Sequence, residues 1–425
     1  MNHNRIEKLV FGGKGLMRHD GLVTFIEDVI EDEEVQFSVT QRKKTYQNAK
    51  LEQIISPSPD RVTPQCPHFG VCGGCQLQHI RYERQVAYKE AWLKESLERI
   101  AKVACDVPIR VYPAKSSYGY RKKIVLHAFK EGVGYFSRDL QPLKIGSCPI
   151  FEEGPTELFD RLQTLGIEEG VAISIFKEPA GGIAIHMRHS GPLSPGADEI
   201  YSNLCSYGYR VCIEGADRTI GALIAFDAAL DGISYSFDPT VFVQNDPEQF
   251  AGVYRYVIDC IEKLCYQGPI LELYSGIGVL SLLLAKRGYA VSAIEKNRQA
   301  VEHAKRSASK NGFENIHCIP AGVERLRAHV QPSKYGVWIA NPPRIGLAEE
   351  VKKELLNVVP EHLIYISCEP TTLARDLKEL SSAYRIESLA LFDMFSQTTH
   401  FETVTCLRSL LQNSARAKNR PFGPS

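Results

Sequence analysis

From about residue 245 onward the chain alternates short apolar runs with helix-like segments, and this alternation limits the possible folds more than any other feature. Apolar strands separated by helices form right-handed βαβ units around a parallel sheet. We therefore predict a Rossmann-like α/β domain over residues 244–411. The apolar runs that carry this prediction are PILEL, AVSAIE, HCIP, GVWIA and LIYI.

A glycine-containing loop follows the first of these runs. Gly276 and Gly278, in LYSGIG, let the chain turn sharply and let a ligand approach the backbone. Glu295 ends the next run, where its carboxylate can accept hydrogen bonds from both hydroxyls of a ribose. A nicotinamide site would have a third glycine where this chain has Ser281. The pattern therefore favours S-adenosylmethionine as the bound nucleoside.

Three further polar motifs lie at strand boundaries of the same domain. Asn341 begins NPPRIG after GVWIA, Cys368 lies in SCEPT after LIYI, and Glu402 ends TTHFE before TVTCL. Ligands of open α/β sheets bind outside the carboxyl ends of the strands, so we expect the first two motifs to meet at the cofactor pocket. Taken alone, Cys368 is more readily explained as a buried thiol, and Glu402 as a surface acid.

A second group of cysteines lies far from this domain in the sequence. CPHFGVCGGC places Cys66, Cys72 and Cys75 with spacings of five and two residues, close enough to occupy three corners of a metal or iron–sulfur site. Cys148, in GSCPI, is the candidate for the fourth ligand. Zinc also accepts four thiolates and stays the main alternative, although the five-residue spacing differs from common zinc pairs.

The remaining sequence divides into an N-terminal segment, a central region and a tail. Residues 1–56 combine apolar alternation with glycine turns, which predicts a small β-barrel. Residues 57–243 open with a proline-rich linker and read as a central antiparallel α+β domain. A helix near residues 83–103 is expected to pack on the catalytic domain. Residues 412–425 are polar and predict a flexible tail.

Composition limits the setting in which this chain works. A length of 425 residues predicts several domains, and no run of eighteen apolar residues or secretory leader is present in the sequence. We therefore expect a cytoplasmic monomer without membrane contact, whose twelve cysteines are thiols or ligands. The net charge of zero gives no support to nucleic-acid binding. Residues 101–150 nevertheless hold nine Lys or Arg against three acids, enough for a local basic face.

Together these motifs resemble the RNA uracil-5 methyltransferase family, which includes iron–sulfur enzymes acting on ribosomal RNA and a relative acting on transfer RNA. The resemblance covers nearly the whole chain. The N-terminal barrel resembles a TRAM domain, an RNA-binding module of the OB type, and YRKKIVLH resembles a family stretch near the bound RNA. The resemblance implies formation of 5-methyluridine in RNA, with 23S ribosomal RNA as the expected target and transfer RNA as the alternative.

The resemblance also implies a role for individual residues. Cys368, in SCEPTTLARDL, matches the nucleophile that adds to carbon 6 of uracil, and Glu402, in QTTHFE, matches the base that removes the carbon-5 proton. Gln244, in FVQND, matches a cofactor contact. The other implied cofactor residues are Tyr274, Gly276, Gly278, Glu295 and Asn341. The implied ligands of a [4Fe–4S] cluster are Cys66, Cys72, Cys75 and Cys148.

The chain departs from the family pattern at three positions. The usual Asp-Pro-Pro-Arg begins with Asn341, which keeps an acceptor but removes a charge. The usual Phe-Pro-Gln-Thr has Ser396 in place of proline, and Val279 stands where relatives often carry asparagine. The resemblance therefore implies no cofactor role that can be assigned to Val279.

Two other functions remain open from the sequence. Asn-Pro-Pro followed by an aromatic residue marks enzymes that methylate nitrogen, but the following residue here is Arg344, and a nitrogen target needs no cysteine. An RNA-binding scaffold with a decayed site is the second alternative. The joint presence of Gln244, Glu295, Cys368 and Glu402 argues against decay.

Overall fold

The computed structural model describes residues 2–103, 107–152, 156–178, 181–244 and 246–411, so the predicted tail over 412–425 lies outside the described residues. The described chain divides into two compact units. The first unit comprises residues 2–92, 114–224 and 395–400, and the second comprises the rest.

Twenty-three strands and eight α-helices form the described parts of the two units. The strands are β1 (Asn2–Arg5), β2 (Lys8–Val10), β3 (Lys14–His19), β4 (Leu22–Ile26), β5 (Glu34–Arg42), β6 (Tyr46–Ser56), β7 (Ile109–Tyr112), β8 (Lys123–Phe129), β9 (Gly132–Phe136), β10 (Pro142–Lys144), β11 (Ala172–Lys177), β12 (Ile183–Arg188), β13 (Arg210–Glu214), β14 (Thr219–Ile220), β15 (Phe226–Leu230), β16 (Ile233–Phe237), β17 (Ile270–Leu273), β18 (Val291–Glu295), β19 (Ile316–Pro320), β20 (Val337–Ala340), β21 (His362–Ser367), β22 (Tyr384–Phe392) and β23 (Glu402–Ser409). The helices are α1 (Tyr82–Ser96), α2 (Thr156–Thr164), α3 (Ala197–Ser206), α4 (Pro247–Lys263), α5 (Val279–Lys286), α6 (Arg298–Lys310), α7 (Glu349–Val358) and α8 (Pro370–Leu380), with a π-helical turn at Leu97–Ala101 and 3-10 turns at Val323–Ala328 and Pro332–Lys334.

Two sheets build the first unit. The N-terminal sheet has the order β1-β5-β6-β4-β3-β2 and closes over a core that contains Met17, Val35 and Phe37. The central sheet has the order β10-β9-β8-β11-β12-β13-β14. Its alternate residues, such as Ile124 and Leu126, point into a core because side chains of a strand alternate between the two faces.

The central region is less uniformly antiparallel than the sequence predicted. β12 and β13 pair in parallel, because helix α3 carries the chain back across the sheet between them. The run IRVY, predicted to belong to this region, forms β7 and pairs in parallel with β22, and both strands belong to the second unit. The local sequence predicts that these segments are strands. Which strand each one pairs with depends on the path of the chain between them.

The second unit is built on one eight-stranded sheet of order β19-β18-β17-β20-β21-β23-β22-β7. The first five of these strands pair in parallel, and β23 runs antiparallel to both of its neighbours. All four residues of β17 and of β20 are buried, as expected for strands covered on both faces. The predicted α/β architecture of this part of the chain is confirmed.

No helix of the described residues is both long and apolar enough to cross a membrane.

Candidate active site

The order of the sheet reverses between β17 and β20, and this point defines a crevice at the carboxyl ends of the strands. Gly276 and Gly278 follow β17 with φ angles of 56° and 74°, which favour glycine. A Cβ atom at Gly278 would lie 2.9 Å from the Cβ of Ala304 on α6. The loop therefore needs glycine at the second position both for its conformation and for its packing.

Glu295 ends β18 beside this loop. Its Oε2 accepts a hydrogen bond from the backbone N–H of Gly276 at 3.1 Å, and its Oε1 accepts one from Asn297 N–H at 2.8 Å. An ionised carboxylate has about four acceptor sites, so these two bonds leave capacity for the hydroxyls of a ribose. The carboxylate thus connects the glycine loop to the end of the neighbouring strand.

Tyr274 and Asn341 follow the two strands at the reversal point. Tyr274 has a φ of 61°, a left-handed conformation that is uncommon for a bulky residue and is found at functional sites. Its hydroxyl accepts a hydrogen bond from Ala348 N–H at 3.1 Å. The N–H of Asn341 donates to the carbonyl of Leu273 at 3.4 Å, so this residue continues directly from the paired strands.

Gln244 lies in the connection between β16 and α4, where it is half-buried. The helix that follows begins with Asp246, whose side chain accepts a hydrogen bond from Gln249 N–H, and with Pro247 in its first turn. Both features are typical of helix starts. Gln244 thus precedes a well-defined helix of the second unit.

Cys368 and Glu402 meet because of the register between β21 and β23. These strands are antiparallel, and Ser367 pairs with Thr403. Cys368 follows Ser367, and Glu402 precedes Thr403. The two residues therefore lie opposite each other at the same edge of the sheet. Thr403 Oγ1 also donates to the carbonyl of Ser367 at 2.9 Å, which fixes this end of the pair.

The electrostatic surroundings of the pair differ from those of surface groups. Burial raises the pKa of Glu402 to about 8, against a lowering influence of Arg344. Burial and the nearby charge of Glu402 raise the pKa of the Cys368 thiol to about 11, again with Arg344 opposing. Glu402 Oε2 is buried and has no hydrogen-bond partner among the described residues. An unpaired buried acceptor of raised pKa is a strong base for a proton brought to it.

Arg344 is the functional candidate that the sequence analysis did not select. It stands in the NPPR motif and influences both Cys368 and Glu402 electrostatically. The sequence contained a signal for this residue, because the NPPR motif directly follows the carboxyl end of β20. A single cation near two acidic groups favours ionisation of both.

The four predicted cluster ligands line one cavity of about 220 Å³ in the first unit. Aromatic and aliphatic side chains complete the wall, including Phe69, Tyr135, Phe136, Ile145 and Ile150. The loop that carries the first three thiols is fixed by the Gly73 N–H, which donates to the carbonyl of Phe136 at 3.3 Å. Burial raises the pKa of the Cys75 thiol to about 12. Cys66, Cys72, Cys75 and Cys148 are therefore brought together.

Two observations describe what this cavity can hold. Within the described part of the chain, no group of three or more His, Cys, Asp or Glu side chains is arranged so that it could hold a metal ion. Arg121 also lines the cavity, and its buried Nε has no hydrogen-bond partner among the described residues. Four thiols and one buried guanidinium therefore share the lining of this cavity.

A doubly wound sheet with a glycine loop, a strand-end carboxylate and a nearby cysteine–glutamate pair defines the class of S-adenosylmethionine-dependent methyltransferases. A model of the tRNA (uracil-5-)-methyltransferase family matches residues 227–410. An uncharacterized RNA methyltransferase of Protochlamydia amoebophila is 32% identical over 95% of this chain and 97% of its own. The chain belongs to the S-adenosylmethionine-dependent RNA uracil-5 methyltransferase family.

Other relatives in this family carry more specific names. The 23S rRNA (uracil(1939)-C(5))-methyltransferase of Alkalilimnicola ehrlichii is 30% identical over 94% of this chain and 95% of its own. The solved structure of the Pyrococcus abyssi tRNA (uracil-54, C5)-methyltransferase with S-adenosyl-L-homocysteine superposes with a TM-score of 0.77. That structure is 24% identical and covers 96% of this chain and 100% of its own, so it supports the fold.

Proposed function

We propose that this protein transfers a methyl group from S-adenosylmethionine to carbon 5 of a uridine in 23S ribosomal RNA, through a covalent bond between Cys368 and carbon 6. The observation that carries the proposal is the register of β21 and β23, which brings Cys368 to the same edge as Glu402 with its unpartnered Oε2. A nitrogen-directed enzyme would have no use for this pair.

The chemistry assigns a separate task to each group. The cofactor supplies an electrophilic methyl on its sulfonium. The Cys368 thiolate bonds to carbon 6 of the uracil, and the electron pair of the carbon 5–carbon 6 double bond shifts to give an enolate. Carbon 5 then bonds to the methyl group as the methyl–sulfur bond of the sulfonium breaks and its electrons leave with the sulfur as a neutral thioether. Glu402 then takes the proton from carbon 5, and the electrons of that C–H bond re-form the carbon 5–carbon 6 double bond as the thiolate leaves. The charge of Arg344 favours the ionised forms of both side chains.

The cofactor is proposed to lie in the crevice at the reversal of the sheet. Glu295 would hold the ribose hydroxyls, and the loop containing Tyr274, Gly276 and Gly278 would follow the rest of the nucleoside. Asn341 offers an amide at the end of β20, and we propose that Gln244 contacts the cofactor from the start of α4. The carboxylate of Glu295 already orders the glycine loop through Gly276 N–H, which supports its role.

We propose that Cys66, Cys72, Cys75 and Cys148 hold a [4Fe–4S] cluster. The lining of their cavity supports this proposal, because all four thiols face one cavity and the buried Arg121 would offset the negative charge of a cluster bound there. The cluster would tie the loop over residues 66–75 to the segment that carries Cys148. Methyl transfer from a sulfonium is redox-neutral, so no electron has to pass through it.

We propose that RNA reaches the protein over the outer face of the central sheet. The rings of His127 and Phe136 lie 5.0 Å apart, and those of Phe129 and Phe136 lie 5.1 Å apart. Phe136 is 41% exposed, and Lys123 on the same strand as His127 carries a positive charge. Unpaired bases stack on such aromatic groups.

The N-terminal sheet over 1–56 is proposed to be a TRAM-type RNA-binding barrel, followed by a central domain over 57–243 and the methyltransferase domain over 244–411.

The target within the family is proposed from the named relatives. The 23S rRNA methyltransferase of Alkalilimnicola ehrlichii aligns with 94% of this chain, which supports 23S rRNA. The Pyrococcus abyssi transfer RNA enzyme spans nearly the same length, so transfer RNA stays the alternative target. A cytoplasmic monomer fits this role. Mapping 5-methyluridine in ribosomal and transfer RNA of cells with and without the gene decides the target: loss from transfer RNA alone would contradict the proposal.

The mechanism is tested by trapping the covalent intermediate. RNA that carries 5-fluorouridine at the target should form an adduct stable on a denaturing gel, since fluorine cannot leave as a proton does. Cys368→Ala should abolish both the adduct and turnover, whereas Cys318→Ala, a half-buried cysteine of the same unit on β19, should retain both. Full methylation by Cys368→Ala would contradict the covalent mechanism and favour the nitrogen-directed alternative.

A further inference from the structure

We propose that Gln85 is a positioning residue for the proton-abstraction step, because it anchors the segment Phe395–His400 from which the chain enters β23 at Glu402. The inference rests on the proposed role of Glu402 as the base. It concerns a residue of helix α1 that lies more than three hundred positions away in the sequence.

The side-chain amide of Gln85 forms hydrogen bonds to Gln397 through both its oxygen and its nitrogen. The backbone N–H of Gln397 donates to Gln85 Oε1 at 3.1 Å, and Gln85 Nε2 donates to Gln397 Oε1 at 2.9 Å. The same Nε2 lies 3.0 Å from the carbonyl of Leu77 and 2.8 Å from that of Ile80. Gln85 is 1% exposed, so these bonds are shielded from water. Their loss would leave buried polar groups unsatisfied.

The conformation of Gln397 depends on this contact. It has a φ of 68°, a left-handed conformation that a non-glycine residue adopts only when its surroundings hold it there. Its carbonyl accepts from Gln76 N–H and from Leu77 N–H, both at 3.0 Å. These two residues directly follow Cys75, so the cysteine loop and Gln85 hold the same peptide.

The preceding carbonyls of the segment are held as well. Lys89 Nζ donates to the carbonyl of Phe395 at 3.1 Å, and the Tyr120 hydroxyl donates to the carbonyl of Ser396 at 3.0 Å. Lys89 is fully buried, which makes its bond costly to lose. The segment is therefore anchored at three successive residues, with Gln85 at the last of them.

The consequence for catalysis follows from the connectivity of the chain. Glu402 comes two residues after His400, and the side chain between them, Phe401, is completely buried. Glu402 is only five residues beyond Gln397, and the close packing around Phe401 limits how far the intervening backbone can rotate to absorb a shift of the segment. Cys368 follows a different strand. Loss of Gln85 should thus slow proton abstraction while leaving formation of the covalent bond largely intact.

The experiment compares Gln85→Met, which conserves volume but removes the amide, with Glu402→Gln on RNA with ordinary uridine. We expect a fall in turnover of about 10- to 100-fold, the size caused by small misplacement of a reacting group. We also expect the methylated covalent intermediate to accumulate on denaturing gels, as it should with Glu402→Gln, and the rate of 5-fluorouridine adduct formation to stay within about twofold of the unaltered protein. Tyr120→Phe, which removes one anchor, should show a weaker form of the same pattern.

Gln47→Met is the matched control. Gln47 is also a completely buried glutamine of the first unit, where it donates to Thr24 Oγ1 at 2.9 Å, but it lies in the N-terminal sheet. It should lower stability without accumulation of the intermediate. A fall in both turnover and fluorouridine adduct in Gln85→Met, or no change in turnover, would overturn the inference. Failure of Glu402→Gln itself to accumulate the intermediate would instead remove the proposed base.

Discussion

At the scale of single residues, the surroundings of Glu402 have opposite effects on the stability of the fold and on the strength of Glu402 as a base. A buried carboxyl without a hydrogen-bond partner is unfavourable for the fold once it ionises, yet those features make it a strong base. Asn341 follows β20 at the same edge of the sheet, with an amide where the family resemblance leads us to expect a carboxylate.

The pKa of Glu402 leads to a pH-dependent stability prediction. Because the folded-state pKa is raised to about 8 from the usual 4.5, the group contributes stability that is full below pH 4.5 and is lost as the pH rises toward 8. Glu402→Gln removes the titrating carboxyl group, and with it the loss of folding stability as the pH rises. We expect Glu402→Gln to stabilise the protein by about 1–3 kcal/mol at pH 8–9 and to have little effect near pH 4.5.

Thermal or denaturant unfolding of both proteins across this pH range checks the prediction. Glu302→Gln, on the exposed side of α6, serves as the control, and it should show no such pH dependence. Equal stability of Glu402→Gln and the unaltered protein at every pH would mean that Glu402 is not held in a desolvated environment.

At the scale of elements, the glycine loop illustrates how one position satisfies two demands. Gly276 has a left-handed φ, but no atom lies within 4 Å of a Cβ added there. Gly278 has both a left-handed φ and a close neighbour, Ala304 on α6. Gly276 is required only for the left-handed backbone conformation, whereas Gly278 also allows the start of α5 to pack closely against α6.

This difference predicts unequal effects of two alanine substitutions. Gly276→Ala meets backbone strain alone and should cost about 1 kcal/mol, whereas Gly278→Ala should cost about 2–3 kcal/mol and weaken binding of S-adenosylmethionine more. Ala304→Gly in the Gly278→Ala background should restore part of the lost stability, because it removes the contact at 2.9 Å but not the strained φ. Calorimetric unfolding and cofactor titration provide the measurements; equal losses for the two alanines would contradict the packing argument.

At the scale of the whole molecule, the two candidate sites belong to different units. The cysteine-lined cavity lies in the first unit, and the cofactor crevice lies in the second. The residues that line the cysteine cavity and those proposed to bind the cofactor come from separate units. Loss of the proposed cluster should therefore affect the stability and RNA binding of the first unit before it affects binding of the cofactor.

Removal of the cluster tests this separation. Anaerobically purified protein should be brown and contain about four iron and four sulfide per chain. Cys72→Ser should be colourless, unfold at a lower temperature and bind RNA more weakly, while its affinity for S-adenosylmethionine stays within about twofold. Cys205→Ser, a half-buried thiol of the same unit on α3, should keep the colour. A colourless unaltered protein with stoichiometric zinc would contradict the cluster assignment.

Much of the candidate site could be predicted from the sequence, because its motifs are contiguous. Gly276, Gly278 and Glu295 were found from the order strand, loop, helix and strand, which the structure reproduces. Cys368 and Glu402 are thirty-four positions apart, and their chemistry, more than any local signal, linked them. The proposed role of Arg344 could not be predicted, because its charge matters only at the edge where β20 and β21 end and β23 begins.

The amino-acid sequence by itself determined the parallel α/β domain, the glycine loop and the residue types of both sites, because these depend on periodicity and on short-range spacing. Only the tertiary structure decided the register that sets Cys368 beside Glu402, the pairing of β7 with β22 and the bond between Gln85 and Gln397. Strand partners and side-chain contacts across hundreds of residues are fixed by packing and by the return path of the chain, which no local pattern contains.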